Sequence, residues 1–380
     1  MKRILITGGT GVIGSALVPE ALRDPGTTVD LLIRADGESH LEERLRRLFG
    51  FWQFDPDGGL DRQRVTAHRG DVCAEQFGLD AARYDKLARS VTHVVHCAGN
   101  VRMNQSLDDA KRDAVGSAEQ ILAFCDRAAG AGAFSKLEYV STVGVAGRTA
   151  GTVPERFLDA PPGFHNTYEN AKWEAEEILR SGIGQGLAAT IHRPSMVVGD
   201  SRSGRVRRFQ VFYYLAELFT GHATWGFVPA TGDARLDLVP CDYVARAIMH
   251  CCDDADSAGR VLHHCSGPDG AAPISELSVQ LREMLAPYRR SQKRVRVMSH
   301  KVLRGAIPLI ALLVPPAARR RLKALPYFLD YLDETQTFTN TESRRYFDQA
   351  GIALPSINSY LGAVVKYYCE MTFGQVRQAA

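Results

Sequence analysis

Residues 7–14 read Thr7-Gly8-Gly9-Thr10-Gly11-Val12-Ile13-Gly14 and follow directly on the apolar run Ile4-Leu5-Ile6. A β-rich run that meets glycines at this spacing and then turns helical leaves few folds open. Gly8 permits a sharp strand-to-helix turn, Gly11 leaves bare backbone for a diphosphate, and Gly14 lets the helix pack close. Free N–H groups at the helix N-terminus then favour an anion. The turn predicts a dinucleotide-binding βαβ unit, with Thr7, Gly8, Gly11, Val12, Ile13 and Gly14 around the diphosphate. A glycine-rich turn without ligand is the plainer alternative; the strand–turn–helix context argues against it.

The pattern that follows fits such a unit. Short β-rich runs at 3–7, 29–33, 64–69, 93–96, 137–141 and 189–193 alternate with helix-like stretches at 13–23, 40–49, 84–89, 106–129 and 166–180. Strands alternating with helices predict a Rossmann-type, doubly wound parallel sheet. Several of these strands are apolar nearly throughout, as strands covered on both faces are. At 380 residues the chain has room for a second, smaller unit, mainly helical. We expect residues 1–200 to bind the dinucleotide, with 236–265 returning to that domain, and 201–235 and 266–380 to face a substrate.

Composition excludes other classes. Apolar residues make up 45% and charged residues 23%, ordinary values for a globular chain. The net charge of +3 is too small to argue for nucleic acid. The eight cysteines show no Cys-x-x-Cys spacing, so neither a metal site nor a disulfide framework is expected. Reduced thiols and the lack of a secretory apolar run after Met1-Lys2-Arg3 point to a cytoplasmic protein. The longest uncharged apolar stretch, 305–318, is broken by three prolines and is too short to span a membrane. Residues 302–314, with Arg319, Arg320, Arg321 and Lys323 behind them, suit a buried helix on length. An interfacial helix in peripheral membrane contact is the alternative.

The second strand ends at Arg34, where NAD-binding chains usually carry an acidic residue for the ribose hydroxyl. A guanidinium there suits a 2′-phosphate, so NADPH/NADP+ is expected rather than NADH. Arg44, on the next helix, either closes over that phosphate or lies on a solvated face among Glu42, Glu43, Arg46 and Arg47. Asp71 and Val72 follow the third strand and are candidates for the adenine edge. Cys97, Ala98 and Gly99 follow the fourth and would line the cofactor with small side chains. Pro194, Ser195, Met196 and Val197 follow the sixth and would meet the nicotinamide through backbone.

Tyr168 and Lys172 stand at i and i+4, on one face of a helix. An ammonium near a phenol lowers the phenol's pKa and fits it for acid–base work. Thr142 closes the fifth strand, at the edge where parallel sheets bind ligands, and is placed to hydrogen-bond a developing oxyanion.

These motifs together resemble the extended short-chain dehydrogenase/reductases. Leu32-Ile33-Arg34-Ala35, Gly70-Asp71-Val72, His96-Cys97-Ala98-Gly99-Asn100-Val101, Asn166-Thr167-Tyr168, Trp173-Glu174-Ala175-Glu176 and 238–245 resemble its thioester-reductase branch, which includes fatty acyl-CoA reductases. The resemblance covers about residues 1–250. It implies Tyr168 as proton donor, Lys172 as its ribose-holding partner and Thr142 as oxyanion donor. It also implies an acyl thioester substrate, on CoA or a carrier protein, reduced to the aldehyde, with the alcohol as the alternative end product. The basic stretches 202–208 and 289–296 would meet a CoA phosphate or an acidic carrier, or are solvated surface. One departure stands out: Asp113 occupies a place where the family usually has Asn. The same Thr/Tyr/Lys set serves ketone and aldehyde reductases, hydroxysteroid-type dehydrogenases and sugar-nucleotide epimerases, and a non-catalytic NADP(H) sensor is the remaining alternative.

Overall fold

The computed structural model describes residues 1–55, 59–221, 224, 226–289, 294–312 and 336–374. At its centre lies a seven-stranded sheet. In chain order its strands are β1 (Lys2–Thr7), β2 (Thr27–Ile33), β3 (Val65–Arg69), β4 (His93–His96), β5 (Lys136–Val140), β6 (Ala189–Pro194) and β7 (Val261–His264). Across the sheet they run β7-β6-β5-β4-β1-β2-β3, and every pairing is parallel. The doubly wound class read from the alternation is the one observed. The winding reverses between β1 and β4, and open parallel sheets bind ligands in the crevice at the C-terminal strand ends of such a switch point.

The strands are apolar on both faces because both faces are covered. Helices α1 (Val12–Ala21), α2 (Glu38–Trp52) and Cys241–Asp253 pack on one side, against residues such as Ile4, Ile6, Leu31 and Val95. Helices Ser117–Gly130 and Thr167–Gly184 pack on the other, against Leu5, Val94, Leu137, Tyr139 and Ile191. A third core joins helices Val211–Phe219, Ile274–Leu285 and Ile357–Phe373 to the crevice side.

Two local readings differ from the sequence expectation. The single helix expected over 106–129 is a short helix Leu107–Lys111, a π-turn Arg112–Gly116 and a helix Ser117–Gly130. The extra residue in that turn falls at Asp113, and single π-turns often mark functional sites. The edge strand β7 was not expected; its run Val261-Leu262-His263-His264 is too short and too polar to announce itself. Helix His300–Leu312 buries Leu303 and Ile307 in the third core, as the buried reading of that segment required. Residues 313–335, with the basic cluster at 319–323, lie outside the described residues, as do 290–293 of the second basic stretch. Among the described residues no helix is long and apolar enough to cross a membrane.

Candidate active site

The glycine turn closes by backbone contact. Gly8 holds φ +72°, a left-handed conformation. A Cβ on it would lie 2.5 Å from the Ala98 nitrogen and 2.6 Å from the Cys97 carbonyl oxygen. The Gly11 N–H donates to the Gly8 carbonyl at 2.8 Å. A Cβ on Gly14 would sit 2.2 Å from that same carbonyl oxygen, so Gly14 seals the turn rather than packing helix on sheet as the motif suggests. Val12 is buried, while Thr10, Gly11 and Ile13 are partly exposed along the crevice.

The β4 loop is tied to the turn by polar contacts. The Ala98 N–H donates to the Thr7 hydroxyl at 3.3 Å, and the Cys97 thiol donates to the Thr7 carbonyl at 2.8 Å. Burial pushes that thiol up to about 12, so Cys97 is an inert small side chain and no nucleophile. A Cβ on Gly99 would meet nothing within 4 Å. Asp113, in the π-turn, accepts from the Asn100 amide (3.1 Å) and the Gln105 amide (2.9 Å). Its carboxylate thus anchors the loop beyond Gly99.

At the ribose end, the exposed Arg34 lies 4.0 Å from the Asp71 carboxylate. Asp71 also accepts from the Cys73 N–H at 3.1 Å, and the neighbouring Val72 packs against the core. Arg44 is no solvated helix residue. Its guanidinium donates to the Arg34 carbonyl and, at 3.3 Å, to the Thr10 hydroxyl of the glycine turn.

On the other flank, Thr142 follows β5 and accepts the Gly144 N–H at 3.1 Å, which leaves its own proton free to donate. The Asn166 side chain caps helix Thr167–Gly184 by accepting the Glu169 N–H at 3.0 Å. Tyr168 then stands in the first turn, with its phenol hydrogen-bonded to Thr142. Lys172 is buried, and its ammonium donates to the Val140 carbonyl (2.9 Å) and the Tyr139 hydroxyl (3.3 Å).

The expected lowering of the Tyr168 pKa is corrected. Burial pushes the phenol up to about 12 and outweighs the Thr142 hydrogen bond. Burial pulls Lys172 down to about 8, against the field of Glu176. Tyr168 therefore carries its proton at neutral pH, as a proton donor must. Behind β6, Ser195 turns its hydroxyl onto Asp237 at 2.6 Å, and Met196 and Val197 pair with Leu238 and Val239.

The family described as male sterility protein matches residues 6–248. The chain belongs to this family. It lies in the thioester-reductase branch of the extended short-chain dehydrogenase/reductases. The isonitrile lipopeptide synthase of Streptomyces coeruleorubidus is 27% identical over 291 residues, covering 76% of this chain and 19% of its own length. The aldehyde reductase lnaA of Aspergillus flavus is 28% identical over 273 residues, covering 69% of this chain and 25% of its own length. The chain thus spans between a fifth and about a quarter of the first curated relatives it matches. In fold it is similar to the terminal R domain of the myxalamid pathway, with TM-score 0.81, 22% identity, and 99% of this chain and 92% of that chain covered.

Several further residues position this site. His96 bridges Thr7 (2.9 Å) and Ser117 (3.4 Å) and stacks on the Tyr139 ring, with centroids 5.2 Å apart. Lys172 lies 4.5 Å over the same ring's centre. Arg193 forks onto buried Glu176 (3.0 and 2.6 Å) and locks the Tyr168 helix to β6. His165 and Glu169 pair at 2.9 Å beneath Tyr168. Glu138, His192 and Cys251 gather three donor atoms in the core. There the Lys136 ammonium, 3.1 Å from Glu138 and 2.7 Å from the Cys251 carbonyl, already supplies a cation.

Proposed function

We propose that the chain reduces acyl thioesters with NADPH, releasing an aldehyde and taking it on to the alcohol where a second NADPH binds. The observation that carries this reading is the pairing of Thr142 with a protonated Tyr168 beside the glycine turn. Two hydroxyls there converge on one place where a carbonyl oxygen would develop negative charge.

Thr7, Gly8, Gly11, Val12, Ile13 and Gly14 would hold the diphosphate, and Arg34 and Arg44 the 2′-phosphate. Asp71, Val72, Cys97, Ala98 and Gly99 would line the adenosine side, and Pro194, Ser195, Met196 and Val197 the nicotinamide side. The cradle left by the missing Cβ atoms and the guanidinium groups at the ribose end fit NADPH. When bound, NADPH supplies the hydride.

This chain's own residues do the rest. Thr142 and Tyr168 donate to the thioester oxygen as it becomes an oxyanion, and Tyr168 yields its proton to it. Lys172 would hold the nicotinamide ribose. The neutral hemithioacetal then loses thiol and leaves the aldehyde. Residues 1–200 and 236–265 form the NADPH-binding part in this reading, and 201–235 and 266–380 face the acyl group.

A carrier-bound thioester is favoured by the relatives named nonribosomal peptide synthetases and by the likeness to an archaeal thiolation-reductase di-domain, with TM-score 0.75 and 16% identity. Acyl-CoA remains the simpler laboratory substrate. The test follows NADPH oxidation and thiol release together, on a panel of acyl-CoA and carrier-bound thioesters. Coupled appearance of thiol supports the reading, and the NADPH-to-thiol ratio separates aldehyde from alcohol. NADPH oxidation by free aldehydes or ketones only, with no thiol from any thioester, overturns it in favour of a carbonyl reductase.

A further inference from the structure

The basic stretch 202–208 is built into the cofactor side of the molecule. Residues 199–208 leave the short strand Met196–Val198 and are pinned at every step. The Asp200 carboxylate accepts the N–H groups of Arg202 (3.1 Å) and Ser203 (2.8 Å) and the Ser203 hydroxyl (2.7 Å). Ser201 donates its N–H and hydroxyl to Asp242 at 2.8 and 2.7 Å. A Cβ on Gly204 would lie 2.0 Å from the Ala363 carbonyl oxygen of the last helix, so the loop rests directly on that backbone. Val206 is buried in the third core. The Arg205 guanidinium donates to the Phe51 carbonyl and lies 5.2 Å from the centre of its ring. Phe51 belongs to the last turn of α2, the helix that carries Arg44 and Arg47.

So fixed, the loop brings Arg207 and Arg208 to cations already in place. The charges of Arg208, Arg34 and Arg207 all bear on Arg44, and those of Arg208 and Arg47 bear on Arg207. The Arg207 Nε is buried and has no hydrogen-bond partner among the described residues. Like charges held together by a pinned loop are costly unless an anion joins them. Arg44 also touches Thr10 of the glycine turn, so the cluster borders the dinucleotide crevice.

We propose that Arg207 and Arg208 complete, with Arg34 and Arg44, a site for a phosphate monoester on an adenosine ribose. The continuity with Thr10 assigns it to the 2′-phosphate of NADP(H). This inference rests on the NADPH reading above and adds a third chain segment to it. The 3′-phosphate of CoA has the same chemistry, and the experiment separates the two.

Intrinsic fluorescence titrations would give dissociation constants for NADPH, NADH, CoA and 3′-dephospho-CoA. They would be run on the wild-type chain, on Arg207→Ala/Arg208→Ala and on Arg207→Lys/Arg208→Lys. Arg202→Ala, on an exposed residue of the same loop, controls for bulk charge. The alanine pair should weaken NADPH about tenfold or more and NADH less than about twofold, since a charge-assisted contact is worth about that factor. The lysine pair should fall between, and Arg202→Ala should match wild type. A selective loss of CoA over 3′-dephospho-CoA, with NADPH unchanged, overturns the 2′ assignment and gives the site to CoA. No change for any of the four ligands overturns the site altogether. If the wild-type chain binds NADH as tightly as NADPH, the cofactor reading itself has failed, whatever the variants do. Coincident thermal melts of the lysine pair and the wild type exclude loss of folding.

Discussion

The two flanks of the crevice hold their residues by different means. Around the glycine turn, backbone touches backbone: Gly8 against Cys97 and Ala98, and Gly14 against Gly8. On the catalytic flank, side chains do the holding: Asn166 caps the helix, Arg193 grips Glu176, and Lys172 reaches Val140 and Tyr139. Steric contact of the first kind is all or none, because no side chain can be smaller than none. Contact of the second kind is graded, because each hydrogen bond is worth about 0.5–1.5 kcal/mol net and more where charge is involved. The difference says which flank tolerates change.

Gly14→Ala should be the harshest test. Its methyl has only 2.2 Å to the Gly8 oxygen, so the turn must open. Cofactor binding should fall beyond about a hundredfold, with a stability loss above about 3 kcal/mol, read by titration and melting. Near-normal NADPH binding would show that the turn is softer than its contacts. Tyr168→Phe should cost about 10²- to 10⁴-fold in kcat while NADPH binding stays within about twofold. Thr142→Val should cost less, about 10- to 100-fold, since Tyr168 still donates to the oxyanion. A Tyr168→Phe enzyme within tenfold of wild type would place the proton donor elsewhere.

Acid should separate the flanks in stability. His96, His192 and His263 are pushed down to about 3, and His264 well below its ordinary value, by burial. An unfolded chain takes up these protons below about pH 6.5 and the folded chain does not, so stability falls with acid. Glu138, held up to about 7, and Asp237, up to about 6, act in the opposite sense over pH 7 to 4, because the folded chain keeps their protons. The lowered histidines outnumber the raised carboxyls, so the net effect is a loss of stability as the pH falls from about 6 to 4.5. Hydrogen exchange should show β5, β6 and β7, which carry Glu138, His192, His263 and His264, losing protection before β2 and β3. The reverse order would refute the comparison. The smallest effect belongs to Gly99→Ala. With nothing within 4 Å of the new methyl, the melt should shift by less than about a degree, so any loss of NADPH binding would place the cofactor against that residue.

The turn and the Tyr/Lys pair were legible because each sits within a few consecutive residues. Their strands and helices follow apolar periods that any sheet covered on both faces imposes. The His192–His264 contact, 2.8 Å long, joins residues 72 apart, and no spacing rule announces it. The π-turn at Arg112–Gly116 was hidden because a single added residue leaves the apolar helical spacing on either side of it intact. The Tyr168 pKa was misjudged for a related reason. Spacing says that Lys172 shares a face with Tyr168, but not that its ammonium turns to Val140 and Tyr139. Arg207 and Arg208 read as surface charge or a carrier contact, and only the tie from Arg205 to Phe51 reveals which helix they face.

Gly8 pressed against Cys97 and Ala98 means that the loops after β1 and β4 brace each other across the switch point. The floor between them works as a fixed gauge, set by main-chain atoms that side-chain substitution cannot retune. Relatives of this chain would then diverge along the walls and rim of the crevice, and agree at its floor.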